Sequence, residues 1–296
     1  MKNTQVIQLM SIVRLSIFML GITMMSCNSK KEQQLPAIGK SVALFDYFSY
    51  KGNDDFYISN PLSGEDYFYN PILPGWYSDP SVCTNGEGDY FLVTSTFTYF
   101  PGVPIFHSKD LVNWKQIGHV LNRASQLVNM EGQKVSGGIF APAISYNPYN
   151  KTYYMVTTNV GAGNFFVKTQ DPFGEWSEPV MLPEVGGIDP SFFFDEDGKA
   201  YIVNNDEAPD NKPEYSGHRT IRIQEFDVKT DKTIGPRKVL VNKGAQPADK
   251  PIWIEGPHLY KINGKYFLMS AEGGTGNWHS EVIFRCLLYT SDAADD

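Results

Sequence analysis

The sequence predicts an all-β protein built from repeated sheets of short strands, and three observations carry this prediction. The chain of 296 residues has 14% aromatic residues, 26 glycines and 19 prolines, which is typical of short strands joined by tight turns. A pair of strand-like segments recurs four times along the chain. After residue 40, no segment of ten or more residues has the apolar period of an amphipathic helix.

Charge and cysteine content narrow the possible functions. The formal net charge is −8, which argues against a nucleic-acid partner because phosphate binding requires a basic surface. The composition also excludes a coiled coil and a long disordered chain. Besides Cys27, the two cysteines Cys83 and Cys286 are too few and too far apart for a disulfide framework, and no Cys/His cluster has zinc spacing.

The first 27 residues predict an export signal that ends at a lipid anchor. Lys2 and Arg14 are the only charges before Lys30, and about twelve mostly apolar residues follow Arg14, fewer than the roughly 20 that span a bilayer. The stretch Met24-Met25-Ser26-Cys27 resembles a bacterial lipobox, in which the cysteine is acylated and becomes the new N-terminus. An ordinary cleaved signal with an unrelated cysteine is the alternative.

We therefore predict that residues 1–285 consist of three segments. Residues 1–26 are a lipoprotein signal peptide, residues 27–69 are a polar tether and lead-in, and residues 70–285 are the folded domain. Lipidation of Cys27 would hold the exported protein in the periplasm or on the outer membrane of a Gram-negative bacterium. The lipid anchor would be its only attachment to the membrane.

Each repeat begins with a short segment that contains a proline, and an apolar strand follows twelve or thirteen residues later. The proline segments are Asp79-Pro80-Ser81, Ala141-Pro142-Ala143, Asp189-Pro190-Ser191 and Glu255-Gly256-Pro257. The apolar strands are Phe91-Leu92-Val93, Tyr154-Met155-Val156, Tyr201-Ile202-Val203 and Phe267-Leu268-Met269, each preceded by a turn-like stretch. A fixed strand pair with loops of variable length between repeats is typical of the blades of a β-propeller.

Three acidic residues occupy what the repeat alignment indicates are equivalent positions. The innermost strands of successive blades line the propeller axis, so Asp79, Asp189 and Glu255 are predicted to converge there, while the second repeat has Ala141. Carboxylates that share one cavity repel each other and raise at least one pKa, an arrangement that indicates function. The alternative is that each is a solvated turn carboxylate before proline.

These motifs, in this order and spacing, resemble glycoside hydrolase family 43, the five-bladed propeller enzymes that trim xylan and arabinan side chains. The resemblance extends from about residue 70 to about residue 285. A single Asp-Pro-Ser is common in proteins, whereas four such motifs in order and in the repeat register are specific for the family. The segments that carry it are Tyr77-Ser78-Asp79-Pro80-Ser81, Gly138-Ile139-Phe140-Ala141-Pro142, Gly187-Ile188-Asp189-Pro190-Ser191 and Ile254-Glu255-Gly256-Pro257-His258.

The resemblance implies a role for each carboxylate. Asp79 would be the general base that deprotonates the attacking water, and Glu255 the general acid that protonates the leaving oxygen. Asp189 would tune the pKa of the acid and orient it. Inversion requires that base and acid lie roughly 6.5–9.5 Å apart, so that a water fits between them.

The resemblance also suggests substrate-binding residues and a possible ion. Phe140 occupies the place of an aromatic that walls the sugar pocket, and Phe100 is expected at the same mouth, with core packing as the alternative for both. His279 resembles a hub histidine that holds a water or a cation. No cofactor is required, no protein metal ligand is assigned, and a cation such as Ca²⁺ near His279 is a possibility.

The substrate class follows from the same likeness. The segments Phe100-Pro101-Gly102-Val103 and Ala271-Glu272-Gly273-Gly274-Thr275 are similar to β-xylosidase-type members, which release xylose from the non-reducing end of xylo-oligosaccharides of the plant cell wall. An α-L-arabinofuranosidase or arabinan-degrading member of the family is the alternative. A non-catalytic, surface glycan-binding propeller is the alternative from another class.

The end of the sequence departs from the expected pattern. The fourth repeat begins near Ile252, so only about four blades are expected in this chain, where the family implies five. Residues 286–296 do not continue the strand pattern and resemble translated vector or adapter sequence. The expectation from the sequence is a C-terminally truncated chain that is inactive or insoluble, because a missing blade would leave apolar faces and a sheet edge exposed.

Overall fold

The structure is a computed structural model that describes residues 55–64 and 66–286. Residues 1–54, including the predicted signal peptide and Cys27, lie outside the described residues, as do residues 287–296. The chain divides into two compact units, residues 1–61 and residues 62–296. The first contains helix α1 (Asp55–Ser59), whose first-turn Asp55 is favourable to the helix dipole.

Four antiparallel sheets make up the described part of the second unit, and each sheet uses strands that are consecutive in sequence. The first sheet consists of β1 (Ser81–Thr84), β2 (Tyr90–Val93), β3 (Gly102–Ser108) and β4 (Lys115–Leu121). The second consists of β5 (Ile139–Asn147), β6 (Thr152–Asn159), β7 (Gly163–Thr169) and β8 (Val180–Met181). The third consists of β9 (Ile188–Phe194), β10 (Ala200–Glu207), β11 (Arg219–Asp227) and β12 (Lys232–Asn242). The fourth consists of β13 (Glu255–Ile262), β14 (Lys265–Glu272) and β15 (Ser280–Cys286).

This arrangement confirms the predicted β-propeller, with four blades among the described residues. The first three blades have four strands and the fourth has three, and β15 includes Cys286, the first residue of the segment predicted to be non-native. Short 3₁₀ turns occur in the connections, at Ala124–Gln126, Pro209–Asn211 and Pro247–Asp249. Within residues 55–64 and 66–286, no helix combines the length and apolar character needed to cross a bilayer.

The predicted turns form the hairpins for identifiable reasons. Asn263 and Gly264 join β13 to β14 with φ values of 53° and 75°. A two-residue turn that matches the right-handed twist of the strands requires positive φ at both residues. Between β9 and β10, the carboxylate of Asp197 accepts the backbone N–H of Lys199. Such short side chains satisfy turn amides that the sheet leaves free, which fixes the strand register.

Apolar clusters fill the three gaps between consecutive blades. The first cluster joins blades 1 and 2 around Phe91 and Met155, the second joins blades 2 and 3 around Phe166, and the third joins blades 3 and 4 around Ile223 and Leu268. Both faces of the β6 and β10 sheets are therefore buried, which explains why these strands are apolar runs without alternation. The packing places β1, β5, β9 and β13 side by side as the inner strands.

A serine on each of the first three inner strands hydrogen-bonds to the next inner strand. The three pairs are Ser81 Oγ with Ile144 N–H at 3.1 Å, Ser145 Oγ with Phe192 O at 2.9 Å, and Ser191 Oγ with Pro257 O at 2.5 Å. Buried hydroxyls with partners stabilise the blade order, whereas unpaired ones would oppose it. These hydrogen bonds thus fix the position of adjacent inner strands along the propeller axis, in addition to the packing between blades.

Gly187, just before β9, is a position where a side chain cannot fit. Its φ is +66°, and a β-carbon there would lie 1.9 Å from the carbonyl oxygen of Asn205. We expect Gly187→Ala to lower the free energy of unfolding by about 2–5 kcal/mol, from left-handed strain together with overpacking. Urea unfolding measures this loss. Gly198→Ala is the control, since Gly198 has φ +83° and no atom within 4 Å of the added carbon; a loss as large there would contradict the steric argument.

Candidate active site

In all four blades, the residue that precedes the first proline has the same unusual backbone conformation. Asp79, Ala141, Asp189 and Gly256 have positive φ values of 52°, 38°, 54° and 57°. In the second, third and fourth blades the pairing register also shifts at this point, as expected for a β-bulge. Bulges re-aim side chains, and left-handed strain on residues other than glycine concentrates at functional sites. The left-handed residue before proline therefore defines the equivalent position of each blade at the mouth of the axis.

The predicted equivalence is right for Asp79 and Asp189 and wrong for Glu255. The bulge position of the fourth blade is Gly256, and Glu255 lies one residue earlier, where the other blades have Ser78, Phe140 and Ile188. The offset is hidden when positions are counted back from the apolar strand. The hairpin of the fourth blade is one residue shorter than the hairpins of the first and third blades. Counting from the proline would have found it, since Gly256 directly precedes Pro257.

Asp189 is the most deeply buried of the three predicted catalytic carboxylates, with 9% of its surface exposed. One of its oxygens, Oδ2, accepts the N–H of Gly256 at 3.1 Å, and its own N–H donates to Thr158 Oγ1 at 3.1 Å. Burial, followed by the charge of Glu255 and then that of Asp79, raises the pKa of Asp189 to about 7, although the Gly256 hydrogen bond opposes this shift. Asp189 is thus near enough to both other carboxylates for their charges to act on it, as expected if the three share one cavity.

Glu255 is half-buried at the first position of β13. Burial raises the pKa of its carboxyl, and the charge of Asp79 adds to this effect. His279 and Arg219 oppose the rise. A carboxyl group whose proton is held more tightly than usual, yet which is still open to solvent, suits a general acid.

Asp79 is exposed, in contrast to Asp189, and Ser95 holds its carboxylate. The hydroxyl of Ser95 donates to Asp79 Oδ2 and accepts the N–H of Ala141 at 2.7 Å. This contact orients the carboxylate and ties the first blade to the bulge of the second. A solvent-accessible carboxylate with a fixed orientation suits a general base acting on water.

The sequence interpretation missed Ser95 and its counterparts, although a signal was available. Each apolar strand triplet is followed by two residues that are nearly always polar: Thr94-Ser95, Thr157-Thr158, Asn204-Asn205 and Ser270-Ala271. The second residue bonds across to the next blade, as Ser95 does to Ala141, Thr158 to Asp189 and Asn205 Nδ2 to Ile254 O at 2.6 Å. These bonds position the bulges, and with them the carboxylates.

An aromatic wall lies at the mouth beside the first two blades. Phe140 is half-buried, with its ring edge-on to Phe97 at 5.6 Å, and Phe97 stacks on Trp76 at 5.4 Å. Trp76 is 70% exposed, so it presents a ring to solvent. The sequence interpretation named Phe140 and missed Phe97, whose backbone pairs with Ile139 beside it.

Phe100 and His279 are placed differently with respect to the carboxylates. Phe100 is exposed and lines a groove of about 290 Å³ over the first blade, together with Phe97, Ser95 and Trp76. The imidazole Nδ1 of His279 lies 3.0 Å from Gly274 O, and the ring is close enough to Glu255 to lower its pKa. In the described part of the chain, no three His, Cys, Asp or Glu side chains group as metal ligands, and the cation near His279 stays a prediction.

The sequence is similar to a known enzyme family and to several of its members. The sequence model described as "Glycosyl hydrolases family 43" matches residues 68–292. A xylosidase/arabinosidase of Butyrivibrio fibrisolvens is 49% identical over 73% of this chain and 41% of its own length. A β-xylosidase of Bacillus subtilis is 42% identical over 73% of this chain and 40% of its own length. A non-reducing end α-L-arabinofuranosidase of Bacteroides ovatus is 41% identical over 77% of this chain and 40% of its own length.

Solved structures agree with these relatives. A protein of the subgroup GH43_12, retrieved from a capybara gut metagenome, has a TM-score of 0.74 and 56% identity, over 79% of this chain and 44% of that one. A xylan β-1,4-xylosidase from Bacillus halodurans has a TM-score of 0.64 and 39% identity, over 73% of this chain and 41% of that one. The chain spans about two fifths of the length of the curated relatives it matches.

Proposed function

This chain belongs to glycosyl hydrolase family 43, and we propose that its three converging carboxylates hydrolyse a terminal glycosidic bond with inversion at the anomeric carbon. The observation that carries the proposal is the position of Asp189. It bonds to the amide next to Glu255 and interacts electrostatically with both Glu255 and Asp79. Such a cluster opposes folding, so its presence indicates a function.

In the proposed mechanism, Asp79 accepts a proton from the water that attacks the anomeric carbon. As the bond between that carbon and the glycosidic oxygen breaks, Glu255 donates its proton to the departing oxygen. Asp189 accepts the N–H of Gly256, which fixes the backbone next to the acid, and its carboxyl interacts electrostatically with Glu255. Burial and the charge of Asp79 favour the protonated form of Glu255. These steps need no cofactor.

The proposed substrate is a xylo-oligosaccharide of the plant cell wall, from which the enzyme releases the non-reducing-end xylose. Support comes from the xylosidase names of relatives such as those of B. fibrisolvens and B. subtilis. An α-L-arabinofuranosidase is the second candidate, because the B. ovatus relative of that name is almost as similar, at 41% against 42% for the B. subtilis enzyme.

The test is made on the full-length protein. It compares p-nitrophenyl β-xyloside with p-nitrophenyl α-L-arabinofuranoside and follows the first-formed sugar by proton NMR. We expect turnover of the xyloside with α-xylose appearing first, because inversion of a β-glycoside gives the α-anomer. Turnover of the arabinofuranoside alone would keep the mechanism and replace the substrate. β-Xylose as the first product would refute inversion.

We also propose that the protein is exported and held at the membrane by a lipid on Cys27. The support is the apolar stretch after Arg14 and the Met24-Met25-Ser26-Cys27 segment. In bacterial cells fed radiolabelled palmitate, the parent should be labelled and Cys27→Ala should not. Equal labelling of the two would refute the anchor.

A further inference from the structure

Trp253 lies two residues before Glu255 and has a constrained backbone. Its φ of 56° is unusual for a bulky side chain. Its N–H donates to Gly217 O at 2.8 Å, and the carbonyl of neighbouring Ile252 accepts the N–H of Gly273 at 2.8 Å. Two loops, one from the third blade and one from the fourth, therefore hold this segment in a strained conformation. Strain of this kind persists where a side chain must be aimed.

The indole ring of Trp253 is fixed as firmly as its backbone. The guanidinium of Arg219 lies 4.8 Å from the ring centroid, and Arg219 is itself paired with Glu207. At the ring edge, a β-carbon on Gly274 would lie 3.2 Å from Cδ1. Even so, 37% of the Trp253 surface remains exposed. A ring that is held from the protein side and open to solvent provides a preorganised apolar platform.

The position of this platform relative to Glu255 identifies what it would bind. Trp253 lies two residues before Glu255 in the chain, and Arg219, which lies against the Trp253 ring, is near enough to Glu255 for its charge to act on the carboxyl. The general acid donates to the oxygen that links the two sugars, and the departing sugar therefore lies beside the acid. The aromatic wall of Phe140 and Phe97 is instead on the first two blades.

We propose that Trp253, braced by Arg219, forms the subsite for the leaving-group sugar, a neutral pyranose whose C–H face stacks on the indole. This inference rests on the proposed function, because it assigns the leaving-group side of the same site. Uncharged pentopyranose units have an apolar face of C–H groups, which suits an aromatic platform. The subsite favours an oligosaccharide over a glycoside with a small leaving group.

The test uses two xylosides that differ only in the leaving group, xylobiose and β-xylosyl fluoride. We expect Trp253→Ala to lower kcat/KM for xylobiose about tenfold, a loss of about 1.4 kcal/mol in transition-state binding. With the fluoride, which is too small to reach the ring, kcat/KM should change less than twofold. Trp253→Phe should restore most of the xylobiose activity. Trp114→Ala, in a turn of the first blade, is the control for loss of a tryptophan.

Equal losses on the two substrates, or no loss on xylobiose, would overturn the subsite. If the parent hydrolyses neither compound, the proposed function fails, and a binding experiment still decides the subsite. Calorimetric titration of xylobiose into Glu255→Gln and into Glu255→Gln/Trp253→Ala should show weaker binding by about tenfold in the double variant. Equal affinities would refute the inference without reference to catalysis.

Discussion

Glu255→Gln is expected to lower kcat/KM for xylobiose by about 10²–10⁴-fold, the range that general acid catalysis contributes. Glutamine keeps the size and the hydrogen-bonding oxygen of the side chain but has no acidic proton to give. The half-buried position of Glu255 and the interaction with Asp79 hold that proton in the parent. Without it, the sugar oxygen must leave as an alkoxide, which is the step that the proposed mechanism avoids.

The loss should depend on the leaving group. A nitrophenolate leaves with little help from an acid, so the Glu255→Gln loss on p-nitrophenyl xyloside should be markedly smaller than the loss on xylobiose. Asp79→Asn should lose the same factor on both substrates, because every substrate needs the activated water. Glu281→Gln is the matched control, an identical change at an exposed site in the same blade. If Glu255→Gln retained parental activity on xylobiose, the acid would have to be another group.

Asp189→Asn is expected to remove a large pH dependence of stability. Burial and Glu255 raise the pKa of Asp189 from 3.8 to about 7 in the folded protein. The folded state then binds this proton more tightly than the unfolded chain does. Its contribution to stability is fully present below about pH 4 and is lost as the pH rises to about 7. Between pH 5 and pH 8, the free energy of unfolding of the parent should fall by about 3 kcal/mol from this group alone.

Urea unfolding at pH 5 and pH 8 measures this effect. The parent should lose stability over that interval, and Asp189→Asn should lose about 3 kcal/mol less, because the amide does not titrate. Asp227→Asn is the control. The pKa of Asp227 is lowered by hydrogen bonds from Lys229 and Thr230, so its titration lies below this interval. The same pH slope in the parent and in Asp189→Asn would show that Asp189 is not the buried acid that the structure describes.

Much of the fold was predictable because it depends on local chemistry. The turn residues and apolar triplets of each hairpin are adjacent in sequence, so the blades follow from the repeat. Asp79 and Asp189 were found for the same reason, since each directly precedes a proline at the start of an inner strand. Glu255 was given the wrong register, because a one-residue change in hairpin length is invisible when only the apolar strand is aligned.

The parts that were missed depend on contacts between distant segments. Ser95 and Asn205 act on residues about 50 positions away, and Trp253 meets Arg219 only because the segment before β13 packs against the start of β11. Nothing in the residues around Trp253 distinguishes it from a packing tryptophan. Its left-handed φ and the bracing guanidinium are properties of the folded chain.

The hydrogen bonds at the hub run between blades, and this has a consequence for how activity arises. Asp189 is bonded to Thr158 of the second blade and to Gly256 of the fourth, and the residue before Glu255 is bonded to Asn205 of the third. The segments that carry Asp189 and Glu255 are thus held by residues of other blades, whereas Asp79 is held by Ser95 of its own blade, which in turn bonds to the second blade. The alignment of the three carboxylates therefore depends on contacts between blades as well as on the fold of each blade. Catalytic competence would appear only when the blades have docked, as the last property acquired during folding and the first lost on unfolding.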